Sequence, residues 1–185
     1  MDKYTLPTSI EIDGEKCQIN TDFRDILEIF NVLSNPNLLE VEKVSIALDL
    51  FYSDECYKIN IEKAIKEMFH FISQNDEDDT KNQKEEKPLY DWDQDYNIII
   101  APINRTLGYD VRGKEYVHWW TFLSAFMEIG ECTFSTYVGI RDKLNKNKKL
   151  EKYEERILRE NKDKVLLKKK VDDTTQALMN EIMGV

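Results

Sequence analysis

Three carboxylates at alternating positions, Asp91, Asp93 and Asp95, supply hard oxygen ligands of the kind that suit calcium. A calcium-binding loop between two helices also needs glycine at its sixth position and glutamate at its twelfth, and counted from Asp91 these are Tyr96 and Pro102. The acidic run therefore reads as a helix start, where negative charge is favoured by the exposed N–H groups. The two histidines, His70 and His118, each stand among aromatic residues, and neither has a second histidine or a cysteine at ligand spacing. Cys17, Cys56 and Cys132 lie far apart with no CxxC pair, so spacing alone writes neither a disulfide framework nor a zinc knuckle. Nucleotide-binding glycine motifs, a nucleophile elbow and HExxH are absent, and only 6 glycines in 185 residues are available for a phosphate cradle. The expected protein is not an enzyme and carries no cofactor and no metal.

Side chains suited to holding other proteins are better represented. Trp119 and Trp120 are adjacent, so on a helix they point about 100° apart, and one indole can enter a core while the other reaches a second surface. Phe126 follows on the same segment. Between Arg141 and Lys170 the chain has 13 Lys+Arg against 6 Asp+Glu, although the whole chain carries −10. Arg141, Lys152, Arg156 and Arg159, together with Trp119, Trp120 and Phe126, are the candidate partner-binding residues. Nucleic acid is the weaker reading of the basic segment, because its lysines are interleaved with Glu151, Glu154, Glu155, Glu160 and Asp163.

The elements that must position these residues are mostly helices. Ile10, Ile12, Asp13-Gly14, Cys17 and Ile19 have the alternation and turn of a hairpin, expected at roughly residues 6–12 and 15–20. Apolar residues then recur at three and four through Phe23, Ile26, Leu27, Phe30 and Leu33, through Val41, Val44, Leu48 and Phe51, and through Ile61, Ile65, Met68, Phe69 and Ile72. Asn60 is placed to cap the third of these helices. Residues 74–87 contain no aliphatic or aromatic side chain, and residues 74–88 are expected to form an acidic mobile loop. A fourth helix is expected from Trp92 to Leu107, opened by Asp91 and Gln94 and stopped by Gly108, with a kink at Pro102 or a break near Ile100. The run Tyr116 to Met127 reads as an aromatic helix ending near Gly130, and a sixth helix follows Thr133 or Ser135.

Residues 148–170 have a thin apolar seam and dense alternating charge, which predicts an extended C-terminal helix that projects or lies across a partner. Ala177, Leu178 and Ile182, with Met179 and Met183, form a last amphipathic stretch. The resulting expectation is a mainly α protein with a small N-terminal β-hairpin packed on a helical bundle, divided into a body over residues 1–145 and a basic extension over residues 146–185. No apolar run approaches the ~18 residues of a membrane span, and the N-terminus lacks a signal-peptide pattern, so a soluble cytoplasmic protein is expected.

Several segments together resemble a known family. LPTSIEIDG, INTDFRDILEIF, YDWDQDYNIIIAPINRTLGYDV, VHWWTFLSAFMEI and the following helix with Arg141 occur in the order and spacing found in small bacteriophage and prophage proteins. Those proteins are encoded between the tail-tube and tape-measure genes of long-tailed phages, and the likeness covers roughly residues 5–145. The resemblance implies a tail assembly chaperone that binds the tape-measure protein, recruits tail-tube protein and can self-associate. It further implies action in the host bacterial cytoplasm and absence from the mature virion. It supplies no catalytic residue. The alternatives are a structural tail or connector subunit retained in the virion and, behind it, a nucleic-acid-binding regulator.

Overall fold

A computed structural model of the chain describes residues 4–74 and 87–168. The described residues divide into two compact units, residues 4–74 and residues 87–168. Most of the expected acidic loop and the whole amphipathic stretch near the C-terminus lie outside the described residues. Described helices dominate, and the two strands present form one antiparallel pair.

In the first unit, β1 (Ser9–Ile12) and β2 (Glu15–Gln18) are joined by Asp13 and Gly14 at φ values of 50° and 90°. Both turn residues are in the left-handed region, as the two-residue turn that matches strand twist requires. Ile10, Ile12 and Cys17 are buried, and the helices that follow are α1 (Phe23–Leu33), α2 (Glu40–Phe51), which packs on α1, and α3 (Ile61–Ile72), which packs on α2 and touches β1. Of the expected stripes, Phe23, Ile26 and Leu27 on α1, Leu48 and Phe51 on α2 and Met68 and Ile72 on α3 are buried, whereas Val41, Ile61 and Phe69 are exposed and Ile29 and Phe71, outside those stripes, are buried in their helices. Asp22 caps α1 by accepting from the Arg24 N–H, and the Asn60 side chain caps α3 by accepting from the Lys63 N–H at 3.0 Å.

Three attachments hold the hairpin. Its turn is bound through Asp13, which accepts from Asn60 Nδ2 at 2.8 Å and from Lys63 Nζ at 3.2 Å. The outer edge of β2 is closed by the end of α2, where Ile19 bridges Tyr52 and the Ser53 N–H donates to the Gln18 carbonyl. Cys17 and Cys56 form a disulfide with 5.7 Å between their Cα atoms, tying β2 to the short 3-10 helix Glu55–Ile59. Sequence spacing hid this pairing, because the two cysteines are 39 positions apart and the chain between them includes two whole helices whose packing brings the ends together.

The second unit contains α4 (Tyr96–Leu107), α5 (Trp119–Met127), α6 (Thr133–Asn145), α7 (Lys152–Glu160) and α8 (Lys162–Val165). Trp92 lies in a turn before α4 and outside it, since Asp91 accepts from the N–H groups of Asp93 and Gln94 and closes a separate turn there. Pro102 sits inside α4, which continues through it to Gly108 at φ 76°. The interruption near Ile100 does not occur; Pro102 lacks only the N–H that would reach the Ile98 carbonyl, and its ring is buried.

The extended C-terminal helix is replaced by two short ones. Tyr137, Ile140 and Val165 form a buried cluster on which Leu144, Leu150, Ile157 and Leu158 pack, so the thin apolar seam of residues 148–168 is folded back on its own unit. Asn161 breaks the run between α7 and α8. Within residues 148–168 Val165 is fully buried, worth about 1.5–3 kcal/mol, and Leu150, Ile157 and Leu158 are partly buried and contribute less each, which together favours this arrangement over a solvated rod.

Candidate partner-binding surfaces

Arg141 points into the second unit and is 4% exposed. All five of its N–H donors are engaged within the chain: Nε with the Val165 carbonyl, Nη1 with the Leu89 carbonyl and Asp95, Nη2 with Asp95 and the Lys164 carbonyl. Its contacts with Asp95 form a buried two-pronged ion pair at 2.6 and 2.9 Å. The guanidinium therefore joins the start of α4, the chain entering it, and the end of α8, and has no donor left for a partner. Two of the three carboxylates of the acidic run are likewise occupied, Asp91 by backbone N–H groups and Asp95 by Arg141. Among the described residues no group of three or more His, Cys, Asp or Glu is placed to hold a metal ion.

Trp119 and Phe126 lie in an aromatic cluster with Tyr90, Trp92, Phe122 and Phe134. Neighbouring ring centroids are separated by 4.6 Å (Trp92 to Phe126), 5.6 Å (Phe126 to Phe134) and 5.8 Å (Trp119 to Phe122). Trp119 is 1% exposed and is a core residue, while Phe126 is half-buried at the edge of the cluster. Burial in this cluster pushes the Tyr90 phenol upward in pKa. Trp120 points about 100° away, half-buried on the α5 face that also carries Leu123 and the exposed Met127. The ring of His118 stands 6.1 Å from that of Trp120, and its Nδ1 accepts from the Trp120 N–H, which makes His118 the cap of α5.

Lys152, Arg156 and Arg159 are exposed and occupy one face of α7, within about 60° of arc and spaced about 6 and 4.5 Å along the axis. The opposite face anchors the helix through Ile157 and Leu158 and through the buried Glu154. Glu154 accepts from the Glu151 N–H at 2.8 Å and from Lys143 Nζ at 2.7 Å, and these two bonds hold its carboxyl below the usual carboxylate range. The nearby ion pairs, Lys143 with Glu151 and Glu154 and Lys146 with Asp142, leave Lys152, Arg156 and Arg159 out. Glu155 and Glu160 flank the basic stripe at about 40° on either side. No described helix is long and apolar enough to cross a membrane.

Of the seven residues singled out from the sequence, the structure brings Lys152, Arg156 and Arg159 together on one exposed helix face, places Trp120 and Phe126 half-buried at α5, and buries Trp119 and Arg141. What the sequence reading missed is Glu154, the residue that orients α7. Its signal was available as a glutamate three residues after the helix cap position, which reaches back to the cap N–H.

The family described as "Bacteriophage Gp15 protein" matches residues 3–167. The chain belongs to that family. In this Gp15-family protein the match spans nearly all described residues of both units, including α7 and α8. No curated protein and no solved structure matches the chain.

Proposed function

We propose that this Gp15-family protein is a phage tail assembly chaperone, which binds the tape-measure protein and recruits tail-tube subunits in the host cytoplasm without entering the finished virion. It acts by binding and catalyses no reaction. The observation that carries this reading is the exposed basic face of α7, Lys152, Arg156 and Arg159, on a helix whose other face is locked down by Glu154, Ile157 and Leu158.

A tape-measure protein is long and helical, and such helices commonly present carboxylates at spacings of three and four, which is the spacing of the three cations here. Exposed ion pairs contribute about 0.2–1 kcal/mol each, so three of them hold a client weakly and reversibly. Weak holding suits a protein that must leave when tube subunits arrive. Phosphate backbones fit less well, because Glu155 and Glu160 border the stripe. Trp120 on α5 is the second contact in this reading, a half-buried indole of the type that dominates protein interfaces.

Capture of the tape-measure product by the purified protein tests the proposal. The triple variant K152E/R156E/R159E is expected to lose about 2 kcal/mol, roughly a thirtyfold weakening, and Trp120→Ala is expected to weaken capture as well. Unchanged capture by both variants would remove these surfaces from the account.

A further inference from the structure

The two edges of the hairpin are treated differently by the fold. The outer edge of β2 is closed by Tyr52 and Ser53. The outer edge of β1 is not closed. Register pairs Ser9 with Gln18, Ile10 with Cys17, Glu11 with Lys16 and Ile12 with Glu15. A two-residue turn makes Ile12 and Glu15 a hydrogen-bonded pair, and the Ile19 N–H donating to the Thr8 carbonyl fixes the same alternation at the other end. The backbone groups of Ile10 and Ile12 therefore face β2, and those of Ser9 and Glu11 face away. Among the described residues no hydrogen bond uses the outward groups of Ser9 and Glu11.

Beside this open edge lies a groove of about 390 Å³, with Ser9, Ile10 and Glu11 on one wall and Glu67, His70 and Phe71 of α3 on the other. Its geometry is fixed, because Asp13 pins the hairpin turn to Asn60 and Lys63 at the start of that same helix. An open strand edge facing a helix across a groove has the form of sites that add a peptide strand to a sheet.

We propose that this groove docks an extended segment of a partner protein, which pairs with β1 through the outward N–H and C=O groups of Ser9 and Glu11 and carries lysine or arginine at alternate positions. The charge requirement comes from Glu11 and Glu67. Lys16, the cross-strand neighbour of Glu11 on β2, is the one cation among the described residues that line the groove, and the described part of the unit has 13 Asp+Glu against 6 Lys+Arg. A cation directly opposite Glu11 on the added strand is the favourable cross-strand pair. The Ile10 and Phe71 side chains give the floor on which intervening apolar residues of the segment rest. The docking site is in the first unit, and it stands or falls apart from the chaperone reading, which rests on the second.

The test is selection of a random 12-residue peptide library on the full-length protein, followed by NMR titration of the labelled full-length chain with the strongest peptide. The expected peptides lack proline over their central positions and carry Lys or Arg at every second position. On binding, the Ser9 and Glu11 amides shift and gain protection from exchange, together with shifts at His70. Ser9→Pro removes an outward N–H that the β1–β2 ladder does not use, so it spares the fold and weakens binding about tenfold or more. Glu67→Lys, at a half-buried position of α3 on the groove wall, weakens it to a similar extent. Failure to select any peptide, acidic or helical peptides, equal binding by Ser9→Pro, or shifts away from β1 would each overturn the proposal. So would pairing of two copies of this chain through β1, seen as concentration-dependent shifts without peptide. If Ser9→Pro disturbs the far-UV spectrum, exchange protection of Ser9 and Glu11 in the unaltered protein decides.

Discussion

Removing the Arg141 guanidinium leaves the Asp95 carboxylate buried without its charge partner, and that is the costliest single change the second unit offers. Arg141→Met is expected to destabilise it by about 3–5 kcal/mol, the range for breaking a buried pair from one side. Replacing both partners, as in D95N/R141M, should recover part of that loss, because the stranded charge is gone. Urea unfolding followed by tryptophan fluorescence checks this for the second unit alone, since Trp92, Trp119 and Trp120 all belong to it. The same residue shows where sequence reading stops. An arginine at the head of a basic segment looks like a surface charge, and only the fold reveals an aspartate 46 residues earlier to which it is bound. For Trp119 and Trp120 the 100° rule foresaw two different environments, but which indole goes inward depended on the aromatic residues of the turn before α4.

Helix ends and helix faces account for most of the agreement between sequence and structure. Asn60 was legible as a cap and is one; Asn60→Ala is expected to cost about 1 kcal/mol through the cap, with a further loss from its bond to Asp13, read as a lower thermal midpoint by circular dichroism. The hairpin was legible because Asp-Gly between alternating residues demands one kind of turn; the stripes of α1 to α3 were legible only in part, since Val41, Ile61 and Phe69 are exposed while Ile29 and Phe71 are buried. Residues 148–168 were misread as an extended helix because a thin apolar seam says how wide a contact is and not whether it is met by the same chain. Glu154 makes the folded-back arrangement sensitive to acid. Its folded pKa lies below the ordinary glutamate value, first through the Glu151 N–H and then through Lys143, so its contribution is fully present above the unfolded value and is lost as pH falls through the folded one. Between pH 6 and 3 the urea midpoint of the second unit should therefore fall more steeply in the unaltered protein than in Glu154→Gln.

Across the whole molecule, the net charge of −10 is an average over unlike parts. The described residues of the first unit carry 13 Asp+Glu and 6 Lys+Arg, and those of the second carry 13 and 15. Seven acidic residues in excess on one unit and a basic helix face on the other give the chain two surfaces of opposite electrostatic preference. The hydrophilic stretch 74–87 marked the change of unit in the sequence, whereas the contrast in charge between residues 1–140 and 141–170 did not, because the basic segment packs with α4 and α6. Client capture through α7 is accordingly expected to decline as salt rises from low to physiological ionic strength, as measured by retention on immobilised tape-measure protein.

The most direct measurement is quantitative mass spectrometry of two samples from one infection: tape-measure complexes isolated before tail assembly, and purified finished virions. A tail assembly chaperone predicts this protein in the first sample and its absence from the second. Stoichiometric amounts in finished virions, or no association with the tape measure at any stage, would contradict the account.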